Sequence, residues 1–391
     1  MFTTIRQHEK EPGVQFVPHP SGDGNGWRAL QPPPRPGKTI FTVNHTNIPS
    51  RDLLEMVAPY DIINLHWHAR FLSAENIATL THSDKPVVMT IRDMQPITGG
   101  THFFHGDTEW QNETLEYECR QIPSNQTRFP AQVLAAKRKY YNFDNLTLVA
   151  LSNHTREILR KAPYFRDCRI EVIPNSLETD VFKPYDRYRR RDEFGLPRDR
   201  KIIGYVPSFS SEVKGYREFQ AALEMLDSED LGFDPFVMLV GNDTPATEAI
   251  TQDKKALGYI SDNEKLARAY SCADVIVVPS LEETFSNTAA EAISCGVPVV
   301  GFRTGAIPDL AIRGKTGYTC DVGDVKGLAE GIQEVLQSPS MHDAYSALYA
   351  DILEEHRQLP KPHAPKVFDS FEELGQGVAN IAIERILNIP Y

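Results

Sequence analysis

Cysteine is scarce. The chain of 391 residues carries five, at 119, 168, 272, 295 and 320. Their number is odd, their spacing is wide and no C-x-x-C occurs. That excludes a disulfide framework and a thiolate zinc site, and it points to reduced thiols in a reducing compartment. Long apolar runs are also lacking: none approaches about 18 residues, so no transmembrane helix is expected. The first twenty residues have no apolar h-region, and no secretory signal is expected. The six N-x-[ST] triplets then read as chance. Positive charge is in deficit, with Lys+Arg 41 against Asp+Glu 53 and a net charge of −12. This disfavours a nucleic-acid binder, whose affinity rests on clustered cations. Several catalytic signatures are missing too. There is no G-x-S-x-G nucleophile elbow. There is no D-x-D, the carboxylate pair that holds a divalent ion against a diphosphate. Gly37-Lys38-Thr39 and Gly314-Lys315-Thr316 look like the end of a phosphate loop, but Pro32 and Asp309 stand where that loop needs glycine.

What is present is α/β patterning on a scale of two domains. Apolar residues make up 41% and charged residues 24%, as in ordinary soluble domains. Short β-branched runs recur at 61–66, 86–91, 146–152, 201–207, 236–242, 274–280 and 297–302. Most are near-continuous rather than alternating, as in parallel strands covered on both faces. Helical patterns follow 216, 262, 286 and 324, and strand–helix alternation means parallel sheets. A charged, Pro-containing stretch near 180 suggests a join. The expected domains are 1–180, an acceptor-side Rossmann-like domain; 181–355, a nucleotide-sugar-binding one; and 356–391, a return segment whose helix (371–389) packs on the first. The RYRRR cluster (187–191) reads as a solvated linker, with an anionic membrane surface as the alternative.

The most informative stretch is PSLEETFSNTAAEAISCGVPVV (279–300). A strand ends at Val278, a loop carries Glu283, and a helix begins near Asn287, whose side chain can cap it. Gly296 stops the helix, and Pro298 starts the next strand. Glu283 therefore lies at the carboxyl end of a parallel strand, where α/β folds place ligands. Glu291 lies within the helix. Free N–H groups at the helix start suit phosphate or a polar sugar edge, and the two carboxylates accept from hydroxyls. Read without their flanks, these are two solvated glutamates. The histidines at 66, 68, 102 and 105 include H-x-H and H-x-x-H, but no recognisable ligand set accompanies them. They read as lining or packing residues rather than zinc ligands.

With its flanks, the stretch resembles the E-x7-E signature of retaining glycosyltransferases of family 4. Pro279, Ser280, Glu283, Glu291, Ala292, Gly296, Pro298, Val299 and Val300 carry the likeness. GYVPSFSSEVKG (204–215), IPNSLETDVFKP (173–184) and LGYISDNEKLARAYSCADVIVVPS (257–280) resemble further family motifs. INLHWHARFLS (63–73) and KPVVMTIRDMQPITGGTHFFH (85–105) resemble a subgroup in bacterial polysaccharide assembly. The resemblance implies a GT-B fold, two Rossmann-like doubly wound domains facing across a cleft. It implies a metal-independent hexosyltransferase without a cofactor. Such an enzyme moves a sugar from a nucleoside-diphosphate-sugar donor to a glycan or lipid-linked acceptor. The expected location is cytoplasmic, with peripheral contact at the inner face of the membrane as an extension.

The resemblance also implies roles. Lys214 takes the diphosphate, Glu291 the ribose hydroxyls and Glu283 the donor-sugar hydroxyls. The backbone at Phe285, Ser286 and Asn287 contacts sugar and phosphate. Tyr259 and Ile260 fall where the base is read, and Thr288, Ser208 and Gly241 complete the substrate-binding set. The family's usual H-D is Arg92-Asp93 here. Asp93 is the expected acceptor orienter. Arg92 cannot act as a base but can clamp an anion. The family's usual second cation is missing near Pro207-Ser208-Phe209. The competing readings are a GT-B epimerase or phosphorylase, and a catalytically dead nucleotide-sugar-binding protein.

Overall fold

The computed structural model describes residues 2–3, 15–16, 48–68, 72–104, 106, 110, 128–206, 212–227, 232–241 and 249–338. The Gly/Pro-rich start, Ser208, His105 and the helix expected at 371–389 lie outside the described residues, apart from a short parallel pair, β1 (Phe2–Thr3) and β2 (Gln15–Phe16). The chain divides into two compact units between Val172 and Ile173.

In the first unit, strands and helices alternate as the apolar runs predict. The order is α1 (Ser50–Val57), β3 (Ile63–His66), α2 (Ala74–Thr81), β4 (Val87–Ile91), α3 (Arg128–Tyr140), β5 (Leu146–Ala150), α4 (Asn153–Lys161) and β6 (Arg169–Val172). The four strands β3 to β6 pair in sequence order, all parallel. β4 is buried at every position, which is why VVMTI reads as a continuous run rather than an alternating one. Met89, Ile91, Leu148, Leu159 and Phe165 form the centre of its core.

The second unit holds α5 (Arg187–Phe194), β7 (Ile202–Tyr205), α6 (Tyr216–Asp227), β8 (Phe236–Leu239), β9 (Lys254–Ala256), α7 (Asn263–Tyr270), β10 (Val275–Val278), α8 (Asn287–Ser294), β11 (Val299–Phe302), α9 (Ile307–Leu310), β12 (Gly317–Cys320) and α10 (Val325–Gln337). Its six parallel strands lie in the order β9-β8-β7-β10-β11-β12. The chain runs outward one way from β7 and then the other way from β10. This is doubly wound order with its switch point between those two strands. The expected α/β architecture of two parallel-sheet domains is therefore present.

Two strands carry no apolar signal in the sequence, and one local expectation is corrected. β9 and β12 form the edges of the sheet and carry KKA and GYTC, so no long apolar run marks them. The RYRRR cluster is not a solvated linker, nor is it a free basic surface. It is helical in α5, capped by the Asp186 side chain, which accepts from Arg189 N at 2.8 Å. Arg191 is 2% exposed and donates to Asp274 Oδ2 at 2.7 Å, while Arg187 donates to Asp274 Oδ1 at 2.6 Å. A buried guanidinium needs this degree of pairing.

Candidate functional site

The loops after β7 and β10 flank the switch point, where open α/β sheets place ligands. After β7 the chain makes a short 3-10 turn, Glu212–Lys214, and reaches Gly215 with φ +68°. A Cβ on Gly215 would lie 1.7 Å from the carbonyl oxygen of Pro279, so no other residue fits. Beside this contact Leu281 N donates to Val213 O at 2.7 Å. The two loops are thus joined main chain to main chain, and their side chains meet: Lys214 Nζ lies 2.5 Å from Glu283 Oε1. Glu283 is the more enclosed of the pair, at 13% side-chain exposure against 31% for Lys214. Its own N–H donates to Thr304 Oγ1 at 3.1 Å.

The cap of α8 differs from the expectation. Ser286, not Asn287, is the N-cap: its Oγ accepts from Ala289 N at 3.4 Å. Ser286 adopts φ +98°, a region that serine rarely visits and that costs strain. Asn287 is the first helical residue, and its Oδ1 accepts from Asn175 Nδ2 at 2.9 Å. Glu291 lies one turn into α8, where Tyr270 O–H donates to its Oε2 at 2.9 Å. Burial pushes the Glu291 carboxyl above its ordinary range, and the tyrosine hydrogen bond acts against that rise. Phe285 is buried and Thr288 half-buried. Gly241 is buried just beyond β8, while Tyr259 (exposed) and Ile260 (half-buried) follow β9. Lys214, Gly241, Tyr259, Ile260 and Glu283 therefore all follow the carboxyl ends of strands, along one edge of one sheet. Among the described residues, the structure brings Lys214 and Glu283 into direct contact.

In the first unit, Arg92 and Asp93 follow β4. Asp93 is a hub. Its Oδ2 accepts from Trp67 Nε1 at 2.8 Å and faces His102 Nδ1 at 2.7 Å, and its Oδ1 accepts from Gln95 N at 2.9 Å. Burial raises the Asp93 carboxyl, but the His102, Gln95 and Trp67 hydrogen bonds outweigh it, and the net shift is downward. Trp67 pays for its reach with φ +40°. Arg92 is exposed, and its charge adds to burial in lowering the pKa of His66. The Thr98–Thr101 turn, with Gly100 at φ +126°, brings His102 back onto Asp93. Beneath this loop Lys137 is buried and donates to the carbonyls of Gln95 and Thr98. Burial lowers its ammonium to about 7, with Asp93 opposing. His68 is also buried, with its imidazole pushed down to about 4 by burial and by Lys137. Among the described residues no group of three His, Cys, Asp or Glu is placed to hold a metal ion.

Sequence reasoning missed Trp67 and Lys137 around Asp93 and Tyr270 beside Glu291, and it read His102 as a lining or packing histidine without pairing it to Asp93. None has a fixed spacing to its partner; only the turn signal Gly99-Gly100 hints that the chain after Asp93 doubles back.

A doubly wound parallel domain carrying this lysine–glutamate pair, together with a second parallel α/β unit, has the two-domain composition of the GT-B class. Residues 200–338 match the family model described as Glycosyl transferases group 1. Over 199 residues the chain is 28% identical to N-acetyl-alpha-D-glucosaminyl L-malate synthase of Bacillus anthracis, covering 49% of this chain and 50% of that protein. Over 188 residues it is 32% identical to D-inositol 3-phosphate glycosyltransferase of Mycolicibacterium smegmatis, covering 46% and 43%. Each match spans about half the length of the relative or less. Among solved structures, a glycosyltransferase from Rickettsia africae superposes with TM-score 0.56 at 16% identity, covering 90% of this chain and 84% of that one. Sucrose-phosphate synthase from Thermosynechococcus elongatus superposes with TM-score 0.54 at 21% identity, covering 80% of each. Anabaena HepE in complex with UDP and glucose gives 0.53 at 15%, covering 88% and 86%. These likenesses bear out the fold.

Proposed function

We propose that this protein is a retaining, metal-independent hexosyltransferase of family 4. It transfers a sugar from a nucleoside-diphosphate-sugar to a glycan or lipid-linked acceptor in polysaccharide or glycoconjugate biosynthesis. The observation that carries the reading is the Lys214–Glu283 pair at the switch point, within residues that match a glycosyltransferase model.

The chemistry follows from charge. Cleaving the anomeric bond leaves negative charge on the departing diphosphate, and a preorganised cation must meet it. Lys214 supplies that cation. The first N–H groups of α8 add partial positive charge at the same sheet edge. Glu283 accepts from donor-sugar hydroxyls and Glu291 from ribose hydroxyls, with Phe285 to Thr288 lining sugar and phosphate. Gly241, Tyr259 and Ile260 attend the nucleotide. On the first unit Asp93 orients the acceptor, and Arg92 clamps an anion on donor or acceptor. The protein acts in the cytoplasm, with peripheral contact at the membrane where its acceptor is lipid-linked.

Incubating the protein with a panel of nucleotide-sugars and candidate acceptors, with and without EDTA, tests this. The expected outcome is transfer that survives chelation and keeps the donor's anomeric configuration by NMR. Release of sugar phosphate that requires inorganic phosphate would replace the reading with a phosphorylase, and donor binding without turnover would replace it with a binding protein.

A further inference from the structure

Glu291 has one side-chain hydrogen-bond partner among the described residues, and that partner is built to hold it. Tyr270 ends α7, is 1% exposed, and donates its phenol proton to Glu291 Oε2 at 2.9 Å. The phenol proton is thereby committed to the carboxylate. Its ring lies against Phe182, with centroids 6.5 Å apart, and Phe182 O accepts from Ser294 Oγ at the end of α8. Ala289 and Ala292, on either side of Glu291, are fully buried, so the helix backbone has no slack. A buried tyrosine thus grips one oxygen of a carboxylate and leaves the other, Oε1, with no hydrogen-bond partner among the described residues.

We infer that Tyr270 is a positioning residue for nucleotide recognition: by holding Oε2 it sets the rotamer of Glu291 and aims Oε1 at the ribose hydroxyls of the donor. The inference rests on the donor reading above. A tyrosine that merely filled core space would make no distinction between nucleotides with and without those hydroxyls.

The test uses the full chain and calorimetric titration with UDP, ADP and GDP. The tightest binder is then compared with its 2′,3′-dideoxy analogue, in wild type, Tyr270→Phe, Glu291→Gln and the double variant. Tyr270→Phe should weaken the ribonucleotide about tenfold, the scale of one hydrogen bond to a charged group. It should change the dideoxy analogue less than about twofold, and the double variant should bind no worse than Glu291→Gln alone. Equal losses for both ligands in Tyr270→Phe would overturn the inference and leave the donor reading standing. Binding of no nucleoside diphosphate by wild type would overturn both. If Tyr270→Phe does not fold, Tyr270→His keeps a ring and a shorter hydrogen-bond donor at the same position. It should show the same selectivity at smaller size, and a loss indifferent to the ribose hydroxyls would again overturn the inference.

Discussion

Asp274 offers the sharpest test of how the second unit is held together. Its carboxylate, on a residue 8% exposed, receives Arg187 at 2.6 Å, Arg191 at 2.7 Å and the backbone N–H of Ile202 at 2.6 Å. Arg191 also donates to Cys272 O at 2.9 Å and Arg200 O at 3.0 Å, so it cannot swing out to water without breaking further bonds. Asp274→Ala leaves two guanidiniums facing each other in a dry site and strands the first N–H of β7. Breaking a buried ion pair from one side costs about 3–5 kcal/mol. For a domain of this size roughly 2–4 °C of melting temperature accompanies each kcal/mol, so a fall of about 6–20 °C is expected by scanning calorimetry. Asp274→Asn keeps an acceptor for Ile202 and should lose less. Joint replacement of Asp274 and Arg191 by Leu and Met, which removes the carboxylate and the more buried of its two guanidiniums, should recover part of the loss. A drop of less than about 1 kcal/mol in Asp274→Ala would refute the reasoning and return α5 to the status of a solvated segment.

Three other outcomes follow. Lys214→Ala should fold normally and lower kcat by roughly 10²–10³, more than it raises the donor KM, because the charge it meets develops during bond cleavage; a pure KM effect in steady-state kinetics would mean uniform binding instead. Arg92→Ala, at an exposed position, should change stability by less than about 0.5 kcal/mol while lowering kcat/KM at least about tenfold, with Arg92→His intermediate; full activity would remove Arg92 from the reaction. His68 should make the first unit acid-sensitive. Its folded pKa of about 4 lies below the ordinary 6.5, so as pH falls from 6.5 toward 4 the unfolded chain takes a proton that the folded one refuses. Stability should therefore fall across that window, by up to about 3 kcal/mol. Urea denaturation of His68→Gln should show a flatter profile, and an unchanged slope would contradict the assignment.

The strands that build both sheets were legible because parallel sheets bury both faces. VVMTI, VIVV and VVGF are continuous apolar runs for that reason. The edge strands KKA and GYTC escape the same test, since an edge has fewer neighbours to exclude water. On the site side, Glu283, Glu291 and Lys214 could be named because their loop and helix context is local in sequence. Asp274 reads Arg191 across 83 residues, and Lys137 reaches the carbonyl of Gln95 across 42. Such pairings have no period. The positively charged run at 187–191 looked solvated because composition says nothing of a carboxylate waiting elsewhere in the chain. Ser286 was passed over as a cap because serine and asparagine cap about equally well, and only the observed bond from Ala289 N separates them.

The close approach of Gly215 to Pro279 has a consequence for how this protein can change over generations. The loops that carry the charged positions 214 and 283 are joined by a main-chain seam, the Leu281 N to Val213 O bond beside the Gly215–Pro279 contact. On the proposed reading, exchanges at 283 can therefore change what the pair contacts without moving the loops, while 214 must keep its cation. Position 215 is the reverse. Any side chain there pushes the Pro279 carbonyl aside and displaces both loops together. Randomised libraries built on this scaffold should hold 215 as glycine and vary the residues around it.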